Sequence, residues 1–279
     1  MLKKLFIALL FVGVSSTIDA QIKTPQPSPL SKVEQVVGLT DVTLEYSRPA
    51  ARGRVIFGDL VPFGKTWRTG ANANTKITFS DNVKIDGKEL KKGTYAIYTI
   101  PNKDSWEVIF YEDTNNWGTP QKWDDNKVAV KTTANTLNIP FSVESFTIDI
   151  NGISNNGATL EFIWENTVAT VPFEVPTDKL ALKSIENAMS GPTQDDYFQA
   201  ATYYHTSGKD LKTALKWMEK ATAKDAKFWH LRRMSLIQAD LGDKTGAIAT
   251  AKKSLEAATK ANNADYVKMN KESIAAWQK

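Results

Sequence analysis

The 279-residue sequence contains no cysteine and only two histidines. Without cysteine the protein has no disulfide, no thiol nucleophile, no thiolate metal ligand and no lipid anchor on a cysteine. His205 and His230 have neither a second histidine nor a cysteine at ligand spacing, so we predict no metal site. Because no histidine precedes His205, a serine–histidine triad is excluded from the earlier part of the chain.

Glycine-rich phosphate loops are also missing. The segments that begin at Gly191 and Gly242 lack the glycine and lysine spacing of such a loop, so we predict no nucleotide hydrolysis by that route and no cofactor. Proline is absent after Pro192, which agrees with a change to helical sequence in the C-terminal part.

Residues 1–20 have the three parts of a secretory signal: two lysines, the apolar run LFIALLFVGV, and small residues before Ala20. The run is about half of the ~20 residues that a membrane-spanning helix needs. We therefore predict a protein exported to the periplasm or the extracellular space. The mature chain is expected to have no membrane span.

Composition divides the mature chain into a lead-in and two domains. Residues 21–32 hold three prolines among polar residues and predict an exposed lead-in or tether. Residues 33–176 show alternating apolar and polar residues, whereas residues 177–279 are rich in Ala, Lys and Leu at helical spacing. The second domain is the more basic, but its lysines are spread around the helices, so we expect no nucleic-acid binding.

The alternation predicts about nine antiparallel strands with no helix between them. TYAIYTI and WEVIFY predict adjacent strands, and the Asp86-Gly87 pair predicts a tight hairpin turn. Each strand has one apolar and one polar face, which is typical of sheets packed face to face. The predicted fold class is α+β, with an antiparallel β-sandwich or jelly-roll-like domain followed by α-helices.

The helical domain repeats a small motif. Gly208 and Gly242 lie 34 residues apart, and Ala214 and Ala247 lie 33 apart. This period resembles tetratricopeptide repeats, which are helical hairpins that usually bind proteins. The usual proline at the end of each repeat is absent, so a plain helical bundle stays an alternative.

The segment from Ser47 to Thr75 is the strongest candidate for a site. It carries four of the six arginines in the chain, beside amides and a tryptophan. Guanidinium groups bind carboxylate, phosphate or sulfate and stack on rings. The alternative is that these arginines pin the loop to acidic residues elsewhere. With an aromatic residue from a later loop that suits sugar rings, the candidate ligand-binding residues are Arg48, Arg52, Arg54, Trp67, Arg68, Asn72, Asn74 and Trp117.

Carboxylates form no pattern that predicts catalysis. The pairs Glu112-Asp113 and Asp124-Asp125 flank Asn115, Asn116 and Trp117. They are predicted to cap turns, since Asp and Asn side chains accept hydrogen bonds from nearby backbone amides. We name no catalytic residue.

Several motifs resemble the DUF2911 family of exported bacterial proteins, which has no assigned activity. They are SRP at Ser47, RGRVIFGDLVPFGKTWRTGAN from Arg52, KKGTYAIYTIP, NNWG and ATLEFIWE, and together they cover residues 33–175. The resemblance implies an exported β domain, often followed by helical repeats. In the family an acidic residue tends to follow GAN, where this chain has Ala73; if relatives use that acid in catalysis, this chain lacks it.

These patterns predict a non-enzymatic binding protein of the cell envelope. The β domain would bind a small polar or anionic ligand, or a glycan, and the helical repeats would bind a protein partner. One alternative is an envelope hydrolase that uses Asp or Glu carboxylates with Arg68 as an electrostatic stabiliser. Another is a structural adaptor in which the arginines are internal ties.

Overall fold

A computed structural model describes residues 24–279 of the chain. The predicted signal segment, residues 1–20, lies outside the described residues. The chain divides into two compact units. The sheet unit contains Asp41–Glu174 with the described residues up to Val37, and the helical unit contains Gly38–Thr40 and Val175–Lys279. None of the helices in this described part is both long and apolar enough to cross a membrane.

The sheet unit has nine strands in the order β1-β2-β3-β6-β7-β8-β9-β4-β5. Every pairing with a defined register is antiparallel. This confirms the predicted antiparallel arrangement. The strands are β1 (Leu30–Val37), β2 (Thr40–Ser47), β3 (Thr75–Phe79), β4 (Val83–Ile85), β5 (Lys88–Leu90), β6 (Gly93–Pro101), β7 (Ser105–Tyr111), β8 (Val128–Asn151) and β9 (Gly157–Glu174).

The sheet folds over so that its two halves face each other. Strand β8 pairs with β7 near its start and with β9 along the rest of its length, so it belongs to both halves. Rings from strands that are not neighbours meet in the middle: Tyr46 contacts Phe146 at 6.0 Å between ring centroids, and Phe79 contacts Phe173 at 5.6 Å. The predicted sandwich architecture is therefore confirmed.

The hairpin and the strand pair predicted from short sequence motifs are both present. Asp86 and Gly87 have φ angles of 51° and 70° and join β4 to β5 as a tight hairpin. Strands β6 and β7 are antiparallel neighbours, as predicted. Strand β9 carries the apolar residues at 160, 162, 164, 171 and 173 in one continuous strand that ends at Glu174.

Five aromatic side chains, three of them buried and two of them half-buried in the arginine-rich connection, pack against one another, and we call them the aromatic cluster. Trp67 and Trp164 stack with centroids 5.9 Å apart and planes 17° apart. Trp67 also lies 6.3 Å from Trp106 and 4.9 Å from Phe146. Phe57 lies 4.9 Å from Trp106. Since each such pair contributes about 0.5–1.5 kcal/mol beyond the area it buries, the cluster ties the segment that holds Phe57 and Trp67 to the sandwich.

The helical unit consists of helices that pair in sequence order. Gly208 and Gly242, with φ angles of 63° and 85°, lie in the turns after two of the helices. Asp210 and Asp243 then cap the following helices by accepting hydrogen bonds from backbone amides. The helix–Gly–Asp–helix turn thus recurs, while the tetratricopeptide assignment stays a prediction. The helices are α1 (Thr177–Ala188), α2 (Gln194–Thr206), α3 (Leu211–Thr222), α4 (Phe228–Asp240), α5 (Lys244–Lys260) and α6 (Ala264–Trp277).

The aromatic cluster predicts unequal effects for two tryptophans. Trp67→Ala should lower the free energy of unfolding of the sheet unit by about 3 kcal/mol, because it leaves a cavity among packed rings. Trp117→Ala should change it by less than ~0.5 kcal/mol, since this side chain is 77% exposed. Hydrogen exchange of the sheet strands measures both. Equal losses for the two variants would contradict the packing role of Trp67.

His230 predicts a pH dependence of the helical unit. Burial against Phe198, at 4.6 Å between ring centroids, lowers the pKa of His230 below its usual 6.5. Between the lowered pKa of the folded state and the usual value of about 6.5, the unfolded state binds a proton that the folded state does not. The stability of the helical unit therefore falls as the pH drops below about 6.5. The melting temperature, followed by helical circular dichroism, should fall less between about pH 7.5 and about pH 5 in His230→Phe than in the wild type. Identical falls would refute this role.

Candidate functional site

Residues 48–74 connect β2 to β3 without a helix or a named strand, and we call the segment from Ser47 to Thr75 the arginine loop. Three of its residues other than glycine have left-handed backbone: Arg52, Thr69 and Asn72, with φ angles of 52°, 56° and 59°. Such conformations cost on the order of 1 kcal/mol each and concentrate at functional sites. The observed strain therefore supports a function for this loop.

Long-range hydrogen bonds hold the arginine loop in this conformation. The backbone groups of Trp67 and Thr99 exchange two hydrogen bonds of 2.7 and 3.0 Å. The Thr69 hydroxyl donates to the Thr99 hydroxyl at 3.1 Å, and the Thr75 hydroxyl donates to the Thr69 carbonyl at 2.5 Å. Earlier in the loop, Ala51 N–H donates to the Glu144 carbonyl of β8 at 2.8 Å. The loop is therefore fixed at several points along its length.

A cavity of about 430 Å³ opens on the arginine loop, and we call it the arginine cavity. Its charged lining residues are all arginines, and none of its described lining residues is Asp or Glu. The rest of the lining is largely apolar. The lining residues are Pro27, Ser28, Pro49, Ala50, Arg52, Arg54, Leu60, Val61, Trp67, Arg68, Gly70, Ala71, Asn72 and Trp164.

The guanidinium groups around the cavity bond to backbone carbonyls. Arg68 Nη1 donates to the Asn72 carbonyl at 2.8 Å, and Arg52 Nη2 donates to the Pro27 carbonyl at 3.0 Å. Arg54 donates to the carbonyls of Ala51 and Ala50 at 3.0 and 2.7 Å. No Asp or Glu of residues 24–279 forms an ion pair with these side chains, so the alternative of acidic ties does not describe the contacts. Each guanidinium keeps N–H donors for a ligand.

The end of the lead-in is exposed, and Pro27 and Ser28 form one wall of the cavity. Arg48 N–H donates to the Pro29 carbonyl at 2.9 Å, and Asn72 Nδ2 donates to the Ser28 carbonyl at 3.2 Å. Strand β1 begins at Leu30, directly after these contacts. The sequence held no signal for this wall, because the donors lie far along the chain from Pro27, Ser28 and Pro29.

Gly118 leaves the space that the Arg68 guanidinium occupies. A Cβ atom at position 118 would lie 3.1 Å from Cζ of Arg68, which is closer than most Cβ contacts in proteins. The φ angle of Gly118 is 97°, a backbone conformation that side chains rarely adopt. The NNWG motif therefore contributes to the site through its glycine, which lets the guanidinium lie against the backbone.

Three candidate residues lie elsewhere than in the cavity lining. Arg48 donates from Nε to the Phe146 carbonyl at 3.1 Å and from Nη2 to the Thr147 hydroxyl at 2.7 Å. Asn74 is buried and donates to the Tyr98 hydroxyl at 3.3 Å. Trp117 is largely exposed. The structure thus brings together Arg52, Arg54, Trp67, Arg68 and Asn72, of the eight predicted ligand-binding residues.

In each acidic pair one carboxylate, that of Asp113 or Asp124, accepts from a backbone amide of the turn that follows. The Asn115 backbone N–H, followed by the Lys127 ammonium group, lowers the pKa of Asp113 from its usual value. Asp124 accepts from the Asn126 N–H at 3.0 Å and caps the short 3₁₀ turn Asp125–Lys127. Among residues 24–279 no group of three or more Asp, Glu, His or Cys side chains is arranged to hold a metal ion.

The fold and the cavity define a class of two-unit α+β protein, in which a β-sandwich carries a basic, partly apolar cavity and helices follow. The chain belongs to the family described as protein of unknown function (DUF2911), which matches residues 28–173. The match covers the arginine loop and all nine strands, apart from Glu174 at the end of β9. No curated protein and no solved structure matches the chain.

The contact between Gly118 and Arg68 yields a structural prediction. Gly118→Ala should push the Arg68 guanidinium away from the Asn72 carbonyl, because the new methyl group occupies its place. The Nε–H resonance of Arg68 in an NMR spectrum should shift accordingly. Gly53→Ala is the matched control, since Gly53 also has a positive φ of 71° but no atom within 4 Å of an added Cβ. A shift of the same size in the control would contradict the contact.

Proposed function

We propose that the sheet unit binds a small organic anion in the arginine cavity, without catalysing a reaction. The observation that carries this proposal is the convergence of Arg52, Arg54 and Arg68 on one cavity without a carboxylate partner. Guanidinium groups form paired, charge-assisted hydrogen bonds with carboxylates and phosphates. An anionic ligand would supply the charge that the surrounding protein does not.

The electrostatic environment supports an anion over a neutral ligand. Arg68 is partly buried, whereas Arg52 and Arg54 are exposed at the surface. A partly buried cation is screened less by salt than an exposed one, so its attraction for an anion is the strongest of the three. The exposed arginines add attraction during the approach of the ligand.

The apolar lining indicates that the anionic group belongs to a larger organic molecule. Proline, leucine and valine side chains face the same cavity as the guanidinium groups, and so do Trp67 and Trp164. A volume of about 430 Å³ lies within the usual ~300–1,000 Å³ range of small-molecule sites. An inorganic ion would fill a small part of it and would leave the apolar wall wet.

The cavity lining favours binding over the hydrolase alternative. Hydrolysis by paired carboxylates needs an acid and a base beside the bound substrate, and the lining of this cavity contains neither Asp nor Glu. Nearby Glu144 uses an oxygen to accept from Arg52 N–H at 2.8 Å. Export to the cell envelope and a protein partner for the helical unit remain parts of the proposal that rest on the sequence patterns.

Aromatic probes with and without charge test this function. Isothermal titration of the mature protein should show that benzoate and phenyl phosphate bind, whereas the neutral isostere benzamide does not. Inorganic phosphate should bind more weakly than phenyl phosphate, because it does not reach the apolar wall. Added sodium chloride should weaken the binding of the charged probes.

Variants of single cations provide the matched comparison. Arg68→Gln should weaken benzoate binding about tenfold, which corresponds to ~1.4 kcal/mol for a charge-assisted hydrogen bond. Lys65→Gln removes the same charge from the same loop, but Lys65 is exposed and does not line the cavity, so its affinity should match the wild type. Absence of binding by both charged probes, or equal losses in the two variants, would refute the proposal.

A further inference from the structure

A second cavity in the sheet unit, of about 380 Å³, has a different character from the first. It lies between the arginine loop, the β6–β7 turn and the bulged pairing of β8 with β9. It carries two carboxylates, one lysine and two amides beside aromatic rings. We call it the Asp104 cavity, and it is lined by Phe57, Phe63, Asn102, Lys103, Asp104, Trp106, Thr136, Leu137, Asn138, Glu165 and Thr167.

Strained backbone places one of these carboxylates. Glu165 has a φ angle of 48° in the interior of β9, a conformation that costs a residue with a side chain on the order of 1 kcal/mol. The pairing with β8 shifts register on both sides of the Val143–Glu165 pair. Such bulges occur beside binding sites because they redirect a side chain. Here one oxygen of Glu165 accepts from Ile56 N–H at 3.3 Å, and the carboxylate lines the cavity.

Three other polar side chains of the cavity are available to a ligand. Among the described residues, the side chains of Lys103, Asp104 and Asn138 form no hydrogen bond or ion pair. All three are exposed. Together they present donors from the ammonium and the amide, and acceptors from the carboxylate and the amide. A ligand that fits must therefore both donate and accept hydrogen bonds.

Aromatic rings form the apolar part of the same cavity. Phe63 is 43% exposed, so its ring is accessible, whereas Trp106 is buried behind the surface. Phe57 contacts Trp106 with centroids 4.9 Å apart, and this pair belongs to the aromatic cluster. Phe57 and Trp106 are thus packed against each other, and the exposed ring of Phe63 offers a flat apolar surface beside the polar groups.

We infer that the Asp104 cavity binds a neutral saccharide. Sugar hydroxyl groups donate and accept hydrogen bonds, so they match the mixture of Asp104, Lys103 and Asn138, and the C–H faces of a sugar ring match an aromatic ring. Two carboxylates beside one lysine disfavour an anion. A metal ion is disfavoured because only two of the lining residues are carboxylates and none is histidine or cysteine.

This site is distinct from the arginine cavity. The two sets of lining residues share no member. Saccharide binding therefore does not depend on the proposed binding of an organic anion, and either site can fail a test without the other. The glycan that the sequence suggested for the arginine loop is assigned here to different residues of the sheet unit.

Saturation-transfer NMR on the mature protein tests the inference with cellobiose, N,N′-diacetylchitobiose and maltose as probes. At least one of these neutral disaccharides should receive saturation from the protein. The double variant Asp104→Ala, Asn138→Ala should weaken its affinity at least tenfold. Both residues are exposed, so the variant should fold, and its melting temperature verifies this. Arg68→Gln should bind the disaccharide as the wild type does.

The matched control is Asp59→Ala, Asn155→Ala, which removes the same two residue types from exposed positions outside both cavities. Its affinity for the disaccharide should equal that of the wild type. The inference is overturned if none of the probes receives saturation, or if the control loses as much affinity as the test variant. Displacement of the disaccharide by benzoate would also overturn it, since that would place the sugar in the arginine cavity.

Discussion

The attachment of Trp67 to the sandwich is the interaction on which both cavities depend. Its backbone pairs with Thr99 of β6, and its ring stacks on Trp164 within the aromatic cluster. The cluster lies between the two halves of the folded sheet, so the arginine loop is held by the same contacts that close the sandwich. Trp67 and Trp164 also line the arginine cavity, while Phe57 and Trp106 line the Asp104 cavity. One set of rings therefore supplies walls to two sites.

The loop balances strain against long-range bonds. Three left-handed residues and the bulge at Glu165 cost a few kcal/mol together, and the folded state retains them because hydrogen bonds to Thr99, Ser28 and β8 hold the chain there. The arginines are positioned in the same way, by backbone carbonyls that leave their charge uncompensated. A cation paired with a carbonyl is oriented but not neutralised, and this leaves it able to attract an anion.

The two cavities are similar in volume and differ mainly in the charge of their lining residues. The arginine cavity gathers three cations with an apolar wall, whereas the Asp104 cavity gathers two carboxylates, a lysine and amides around Phe63. The proposed ligands differ accordingly, an organic anion in one and a neutral saccharide in the other. The helical unit has its own regularity, in which Gly208 and Gly242 end helices and Asp210 and Asp243 begin the next ones.

The sequence by itself determined the parts of this protein that depend on neighbouring residues. Alternation predicted the strands, Asp86-Gly87 predicted a hairpin, the change to helical spacing predicted the C-terminal helices, and the arginine-rich segment was named as the candidate site that includes Arg52, Arg54 and Arg68. Only the tertiary structure decided that Arg48 bonds to β8 and that Trp117 is exposed and does not line the arginine cavity. It also decided that Pro27 and Ser28 form a wall of the arginine cavity, and that Asp104 and Glu165 line a second cavity. These outcomes follow from hydrogen bonds and packing between residues distant in the chain, and periodicity carries no information about such partners.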